Sequence, residues 1–159
     1  MDSVTIREAT AMDADAIGEI ARVAWKDIFD GYRAQLGEAL FNFLYPTDPL
    51  EKKYEEVAKA AGGGACFVAE YEGKIVGFAT YLIEGQGKLG VLANNAVALR
   101  GHGIAGLLHA RCFEEMKKRG CVAVRVRTGL DEAHAPARRA YEKDGFTNIL
   151  EDITYFKML

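Results

Sequence analysis

The spacing of apolar residues divides the 159-residue chain into a helical first half and a β-rich second half. Residues 4–7 predict a short strand. The apolar positions that follow recur at the spacing of a helix face, up to an aromatic stretch at residues 25–32 that Gly31 interrupts. Two more helices are predicted over residues 34–45 and 51–61, because prolines follow the first and three glycines follow the second.

Two apolar, β-rich runs at residues 66–71 and 74–83 predict a hairpin, since Glu72 and Gly73 between them favour a tight turn. A buried strand then begins at Leu89 and leads into a glycine-rich turn, after which a helix begins. Apolar residues at helical spacing form the buried stripe of that helix: Ile104, Leu107, Leu108, Cys112 and Met116.

Residues 121–128 alternate valine with alanine and arginine and predict another strand. A strand, a helix and a second strand at this spacing form a parallel, right-handed crossover. A further helix is predicted to begin near Pro136, and two short strands at residues 146–150 and 153–159 are predicted to close the chain. The pattern therefore predicts one α/β domain, residues 1–159, in which an antiparallel hairpin and a parallel pair form a mixed sheet.

Composition and charge narrow the range of partners. Half of the residues are apolar, 27% are charged and the net charge is −3, which gives no reason to expect a nucleic acid or a membrane as a partner. The N-terminal residues lack the pattern of a signal peptide. Three cysteines, an odd number, lie in apolar runs and are expected to be reduced. We therefore expect a cytoplasmic protein.

The glycine-rich turn before the fourth helix is the strongest candidate for a binding site. Gly101 and Gly103 let a ligand approach the main chain closely. The first amides of a helix have no partner within the helix and lie at the positive end of its dipole, so a strand, a glycine turn and a helix N-terminus together can hold a phosphate. The alternative is a tight turn that binds nothing.

Residues 101–106 also fit the G-x-G-x-x-G pattern of a dinucleotide-binding turn. Arg125 and Arg127 follow about twenty residues later, where such a fold can bind the 2′-phosphate of NADP. A dinucleotide-binding domain begins with this unit, however, whereas here it arrives two-thirds of the way along the chain. The NADP-binding interpretation is therefore the weaker one.

Three segments carry a resemblance to a known family. Residues 100–105 (RGHGIA) resemble the R/Q-x-x-G-x-G/A signature of the GCN5-related N-acetyltransferases, the GNAT superfamily. Residues 137–146 (ARRAYEKDGF) are similar to that family's A-x-x-x-Y-E-K-x-G-F segment, and residues 6–14 are similar to its first strand and helix start. The order of predicted elements agrees over essentially the whole chain.

The resemblance implies a mostly antiparallel sheet flanked by helices, in which a splayed parallel pair of central strands binds acyl-CoA. It implies acetyl-CoA as the co-substrate, with its pyrophosphate on the amides after the signature arginine, and no metal. The residues that it implies for binding the cofactor are Ala96, Val97, Ala98, Arg100, Gly101, His102, Gly103, Ile104, Ala105, His134, Arg138 and Tyr141.

Two positions depart from the family pattern. His134 stands where the family commonly has an asparagine. The V-x-P-x-x-R stretch that many members carry before the signature would place Asn95 at its valine and Val97 at its proline. In the other alignment Val97 is the last valine of the strand and the turn is two residues shorter.

The chemistry of acetyl transfer points to a small set of catalytic candidates. The leaving thiolate needs a proton and the thioester oxygen needs a hydrogen-bond donor. Tyr141 is the candidate proton donor, the alternative being a core tyrosine. The backbone amide of Asn95 or Val97 is the candidate oxyanion donor.

The sequence does not identify the general base that would take the proton of the amine. Glu84, at the end of the second hairpin strand, is the candidate that we carry forward with Tyr141 and Asn95. Asn94 or Asn95 by ordering a water, and Asp131, are alternatives, and each carboxylate has the competing interpretation of a solvated surface group.

The sequence thus predicts an acetyl-CoA-dependent N-acetyltransferase that acts by direct attack of a primary amine of a small molecule or peptide. The alternative from another class is a GNAT-like module that binds acyl-CoA without turnover. His102, His109 and Cys112 match a metal-binding spacing only loosely, so placement on the surface or in the core is favoured for them. The acceptor is not identified, although Trp25, Phe29, Tyr32 and Tyr45 are candidates to line its site. The oligomeric state stays open, with a homodimer as one alternative.

Overall fold

A computed structural model describes residues 3–159 of the chain. Its strands are β1 (Thr5–Glu8), β2 (Cys66–Tyr71), β3 (Lys74–Glu84), β4 (Leu89–Val97) and β5 (Ala123–Val126). Its α-helices are α1 (Ala14–Leu36), α2 (Glu38–Leu44), α3 (Pro49–Ala60), α4 (Ile104–Lys118) and α5 (Ala135–Lys143). None of these helices is long and apolar enough to cross a membrane.

The strands form one sheet in the order β1-β2-β3-β4-β5. The first three pairs are antiparallel and the last, β4 with β5, is parallel. This confirms the mixed sheet with its parallel crossover through α4. A dinucleotide-binding domain needs a largely parallel, doubly wound sheet, so the topology contradicts the NADP-binding alternative.

The predicted hairpin between β2 and β3 is present at the predicted positions. Both turn residues have positive φ, 50° at Glu72 and 71° at Gly73. Two consecutive positive φ angles are typical of the two-residue turn whose twist matches that of the paired strands. The turn therefore sets the register in which Tyr71 pairs with Lys74.

The first helix differs from its prediction. Gly31 does not interrupt it, and α1 runs for 23 residues to Leu36. The break lies at Gly37, whose φ of 81° and ψ of 157° end α1 and begin α2. An isolated glycine costs a helix about 1 kcal/mol. The packing of α1 against α3 and the sheet offsets that cost.

Helices cover both faces of the sheet. On one face, Ile17, Ile20 and Ala21 of α1 and Val57 of α3 pack with side chains of β2 and β3. On the other face, α4 and α5 pack on the sheet through a second apolar cluster. Buried members of that cluster are Phe67, Ala69, Ala79, Tyr81, Leu92, Ile104, Leu108, Cys112, Met116 and Tyr141.

The start of α1 is fixed by a partly buried ion pair. Two nitrogens of the Arg7 guanidinium donate to the two carboxylate oxygens of Asp13 at 2.8 and 2.9 Å. The amide of Thr10 donates to the same carboxylate at 2.8 Å. The hydrogen bonds from Arg7 lower the pKa of Asp13 to about 2, against a smaller opposing effect of burial. The pair therefore ties β1 to the first turn of the helical layer.

The prediction of two closing strands is wrong. Residues 146–159 have no regular secondary structure in this structure. Phe146 still packs on the core, with its ring centroid 5.8 Å from that of Phe113. Beyond it the chain is exposed, and β5 keeps a free edge because no strand formed by residues 3–159 pairs with it on the side away from β4. A strand forms only where a neighbouring strand accepts its hydrogen bonds.

Candidate active site

The sheet opens between its two parallel strands. Pairing of β4 with β5 runs from Leu89 to Leu92 and stops there, whereas pairing of β4 with β3 continues to Val97. A bulge lies at the same point, since two residues of β4, at positions 93 and 94, are opposite Thr80. The Thr80 hydroxyl accepts from the Asn94 amide at 2.9 Å. The bulge therefore bends β4 away from β5 and leaves a gap.

Backbone amides at the end of β4 line this gap. The amide of Ala98 donates to the carbonyl of Val76 next to β3 at 2.8 Å. Since donors alternate sides along a strand, the amides of Asn95 and Val97 point away from β3, toward the gap. The strand ends at Val97, which favours the second of the two alignments considered above. Either amide is therefore available as a donor to an acceptor atom in the gap.

The glycine turn after β4 fits a phosphate ligand. Gly101 and Gly103 have φ of 83° and 67°, and a Cβ on either would meet no atom within 4 Å. The first amide to bond within α4 is that of Leu107, which donates to the Gly103 carbonyl at 3.2 Å. The amides of residues 104–106 therefore have no acceptor within the helix. Arg100 and His102 are exposed beside them, whereas the side chain of Ile104 is buried in the core.

Four buried or half-buried polar side chains form a connected chain beside the gap: Asn95 of β4, His109 of α4, Tyr141 of α5 and Asp144, which directly follows α5. The side-chain amide of Asn95 donates to the hydroxyl of Tyr141 at 3.1 Å. The carbonyl oxygen of the same side chain lies 3.1 Å from Nε2 of His109. Nδ1 of His109 lies 2.5 Å from Oδ2 of Asp144. The structure thus brings together Tyr141 and Asn95, two of the three catalytic candidates considered above.

The surroundings of Tyr141 keep its hydroxyl protonated. Burial raises the pKa of Tyr141, and the hydrogen bond from Asn95 offsets this only in part. A neutral phenol is a proton donor, which is the role expected of it. Burial raises the pKa of Cys112, on the same face of the sheet, to about 12. This thiol is therefore neutral near pH 7 and is no nucleophile.

A cavity of about 360 Å³ lies on the opposite face of the sheet. It is lined by Trp25, Ile28, Phe29, Tyr32, Tyr45, Pro49, Lys52, Lys53 and Glu56. All four aromatic residues considered above for the acceptor site are among them. Asn94 of β4 connects the cavity to the gap, since its side-chain amide donates to Glu56 at 2.8 Å and its oxygen accepts from Lys53 at 3.1 Å.

The Glu56 side chain carries the negative charge of this cavity. Burial raises the pKa of Glu56, but the hydrogen bonds from Lys53 and Asn94 outweigh burial and hold the pKa below its usual value. Lys53 also lies over the ring of Trp25, with its nitrogen 5.1 Å from the ring centroid. The wall of the cavity nearest to Asn94 therefore combines fixed charges of both signs with an aromatic surface.

The loop before α5 approaches the cavity through Tyr32. The ring of His134 stacks on that of Tyr32, with centroids 6.2 Å apart, and Nδ1 of His134 lies 2.6 Å from Asp131. Arg138 supports the loop, because one guanidinium nitrogen donates to the carbonyls of Gly129 and Asp131 at 2.7 and 2.8 Å. In this structure Arg138 thus stabilises its own loop, while His134 lies beside the aromatic cavity through Tyr32.

Glu84 is not brought to the site. It pairs with Leu89 at the opposite end of β4 from the gap, and its carboxylate accepts from Arg125 at 2.8 Å on the surface. Asn95 lies six positions after Leu89 in β4, about 20 Å along a strand. A base at that distance cannot reach an amine beside Asn95.

Sequence reasoning missed His109 and Asp144. No short motif joins them, since 35 positions separate the two along the chain. The available signal was the placement of His109 directly after Leu108 on the buried stripe of α4, because a buried polar side chain requires a partner. Within residues 3–159, no group of three or more histidine, cysteine, aspartate or glutamate side chains could hold a metal ion. The loose metal-like spacing around His109 therefore has a structural explanation.

Comparisons with known proteins agree with this geometry. A family model described as the acetyltransferase (GNAT) family matches residues 25–146, more than half of the chain. The comparison with curated protein sequences finds no match.

Three solved structures show the same fold. An aminoglycoside N-acetyltransferase, AAC(6')-Iy, in complex with CoA is 19% identical with a TM-score of 0.64, over 100% of this chain and 97% of that one. The PaiA N-acetyltransferase from Thermoplasma acidophilum in complex with coenzyme A is 21% identical with a TM-score of 0.68, over 94% and 93%. A transcriptional regulator from Bacillus halodurans C-125 is 24% identical with a TM-score of 0.61, over 98% and 100%.

Proposed function

The chain belongs to the acetyltransferase (GNAT) family, and we propose that it is an enzyme that transfers the acetyl group of acetyl-CoA to a primary amine of a small molecule or peptide. The observation that carries this proposal is the hydrogen bond from Asn95 to Tyr141 at the edge of the gap. The hydroxyl accepts this bond, so its own hydrogen is free for a group in the gap. A leaving sulfur in the gap is the group that needs it.

Residues of the gap and the glycine turn would hold acetyl-CoA, which supplies an activated thioester. Of the three residues implied at the end of β4, Val97 directs its backbone groups toward the gap and offers them to the arm of the molecule, whereas Ala96 and Ala98 face β3. The amides that begin α4, with Gly101 and Gly103 before them, offer donors to its pyrophosphate. The open space above both glycines supports this assignment.

Direct attack by the amine is favoured over transfer through an acyl-cysteine. Burial raises the pKa of both Cys66 and Cys112 to about 12, so neither supplies a thiolate near neutral pH. The amide of Asn95 or Val97 stabilises the negative charge that develops on the thioester oxygen. Tyr141 donates its proton to the sulfur as the carbon–sulfur bond breaks.

The aromatic cavity is the proposed acceptor site. Its walls suit a molecule with an apolar or ring-shaped body, and the Glu56 carboxylate suits a cationic amine. Two groups beside the cavity are candidates to take the proton of the amine. They are Asp131 through its pair with His134, and Asn94 by ordering a water. Because the solved relatives include aminoglycoside acetyltransferases, aminoglycosides are one class of amine to test.

The test measures thiol release from acetyl-CoA by the purified full chain with a panel of amines. The panel comprises aminoglycosides, polyamines, aromatic amines and peptides with free N-termini. We expect acceptor-dependent release with at least one class, and loss of release in a Glu56→Gln variant if that amine binds as a cation. Saturable binding of acetyl-CoA with no release for any class would support the alternative, a module that binds acyl-CoA without turnover.

A further inference from the structure

The hydrogen bonds around Asn95 determine where the hydrogens of the buried chain lie. The nitrogen of the Asn95 side chain faces Tyr141 and its oxygen faces His109. An amide oxygen only accepts, so Nε2 of His109 must carry a hydrogen. Nδ1 of the same ring lies 2.5 Å from a carboxylate oxygen of Asp144, and two acceptors at that distance repel each other. One proton must therefore lie between Nδ1 and Asp144.

The opposite arrangement of hydrogens has a different consequence for Tyr141. If the ring carried its only hydrogen on Nδ1, Nε2 would become an acceptor and Asn95 would have to turn its nitrogen toward His109. The oxygen of Asn95 would then face Tyr141. The hydroxyl would donate to that oxygen, and its hydrogen would no longer point to the gap.

We propose that Asp144 and His109 are positioning residues, which act through the side-chain amide of Asn95 to direct the hydroxyl hydrogen of Tyr141 toward the gap. His109 is 1% exposed, so water does not replace its partners. Asp144 contacts the His109 ring through its carboxylate. The rings of Phe113 and Tyr141 pack against the His109 ring, with centroids 6.3 and 5.6 Å from its centroid. The inference rests on the proposed function only for its effect on catalysis, because the hydrogen arrangement is a property of the free protein.

Nitrogen-15 NMR of the histidine side chains in the free, full-length protein tests the arrangement without any substrate. The chain has three histidines, and the signals of His109 are those that disappear in His109→Gln. We expect a hydrogen on Nε2 of His109, protected from exchange with water. A bare Nε2 would overturn the proposal whatever the enzyme acetylates.

Two substitutions of His109 then test the catalytic effect. Glutamine places an N–H near the position of Nε2 and keeps the donor to Asn95, whereas asparagine is too short to reach it. We expect kcat to fall by about tenfold or more in His109→Asn and to be largely restored in His109→Gln, with KM for acetyl-CoA little changed in both. Equal losses of kcat in two folded variants would indicate a role in packing alone and would overturn the proposal.

Asp144→Asn provides a second control. An asparagine amide can donate to Nδ1, which fixes the neutral ring with its hydrogen on Nε2. We therefore expect Asp144→Asn to keep at least a third of the wild-type kcat, and Asp144→Leu, which cannot donate, to lose as much as His109→Asn. If no amine is acetylated even by the wild type, the proposed function fails, while the NMR measurement still decides the hydrogen arrangement.

Discussion

At the scale of single residues, the hydroxyl of Tyr141 is the atom whose loss separates catalysis from packing. The ring contacts Phe146 and His109, with centroids 5.9 and 5.6 Å away, and these contacts survive in Tyr141→Phe. We expect acetyl-CoA binding to be nearly unchanged and kcat to fall by roughly 10–10³-fold, the range of lost general-acid catalysis. The loss should become smaller above about pH 8.5, where the thiolate leaves without a proton.

Tyr81→Phe is the matched control for that substitution. Tyr81 is as buried and lies on the same face of the sheet, and its hydroxyl is a buried group with no hydrogen-bond partner in the described part of the chain. Its removal should leave kcat unchanged and should not lower stability. If Tyr141 has only a packing role, Tyr141→Phe loses stability and keeps its turnover. That result would show that the donor role is wrong.

A second residue-scale prediction concerns Gly103. In Gly103→Ala the added methyl group points into the open space above the turn, where the pyrophosphate is proposed to bind. We expect the affinity for CoA, measured by calorimetry, to fall at least about tenfold, equivalent to about 1.4 kcal/mol. Gly120→Ala controls for backbone strain, since Gly120 also has positive φ (90°) and open space around it but lies at the far end of α4. Similar affinities for CoA in Gly103→Ala and Gly120→Ala would show that the turn is not part of the binding site.

At the scale of elements, the sequence predicted the hairpin, β4, α4 and β5 well because their signals are local. Periodicity, the Glu72–Gly73 turn and the glycines after β4 all act within a few residues. The same signals misplaced the break in the first helix and predicted closing strands that do not form. The cost of Gly31 is offset by packing against α3, and a strand at residues 153–159 requires a partner edge, so both outcomes depend on contacts that no local pattern contains.

The same limit applies to the candidate site. Tyr141 and the glycine turn could be found from their motifs, and Asn95 from its place at the end of a strand. The rest of the hydrogen-bonded chain could not, because His109 meets Asn95, and Asp144 meets His109, only after α4 and α5 pack on the same face of the sheet. Glu84 is also absent from the site, because it meets the start of β4 at Leu89 and the gap lies at the other end of that strand.

Two glycines of the first helical region, Gly31 and Gly37, give opposite predictions for the same substitution. Gly31 lies within α1, and a Cβ there meets no atom within 4 Å, so Gly31→Ala should stabilise the protein by up to about 1 kcal/mol. Gly37 has equal space, but its φ of 81° and ψ of 157° are accessible essentially to glycine alone. Gly37→Ala should cost about 1–3 kcal/mol. Urea unfolding measures both, and a stabilising Gly37→Ala would contradict the observed break.

At the scale of the whole molecule, the ion pair between Arg7 and Asp13 predicts how stability depends on pH. The pKa of Asp13 is lowered from 3.8 to about 2 in the folded state, so the folded protein binds this proton less readily than the unfolded chain. The resulting stabilisation is fully present above about pH 4 and is lost as the pH falls through about 2. Since Arg7 is partly exposed, we expect a contribution of about 1–2 kcal/mol.

Asp13→Asn isolates this contribution. The free energy of unfolding should be lower for Asp13→Asn than for the wild type at pH 6, and the difference should shrink as the pH falls from 4 to 2. A difference that is constant over this range would show that the carboxylate acts through hydrogen bonding alone and not through its charge.

The single extra residue in β4, opposite Thr80, has a consequence for cooperativity. Because it bends β4 away, β5 is connected to the rest of the sheet by only four residue pairs, Leu89 to Leu92 with Ala123 to Val126. A molecule that binds in the gap can replace the hydrogen bonds that β4 and β5 do not form with each other there. It then connects the two strands as an additional strand would. Occupancy of the gap then decides whether β5 unfolds with the rest of the sheet or ahead of it, so a ligand of this protein also acts as one of its structural elements.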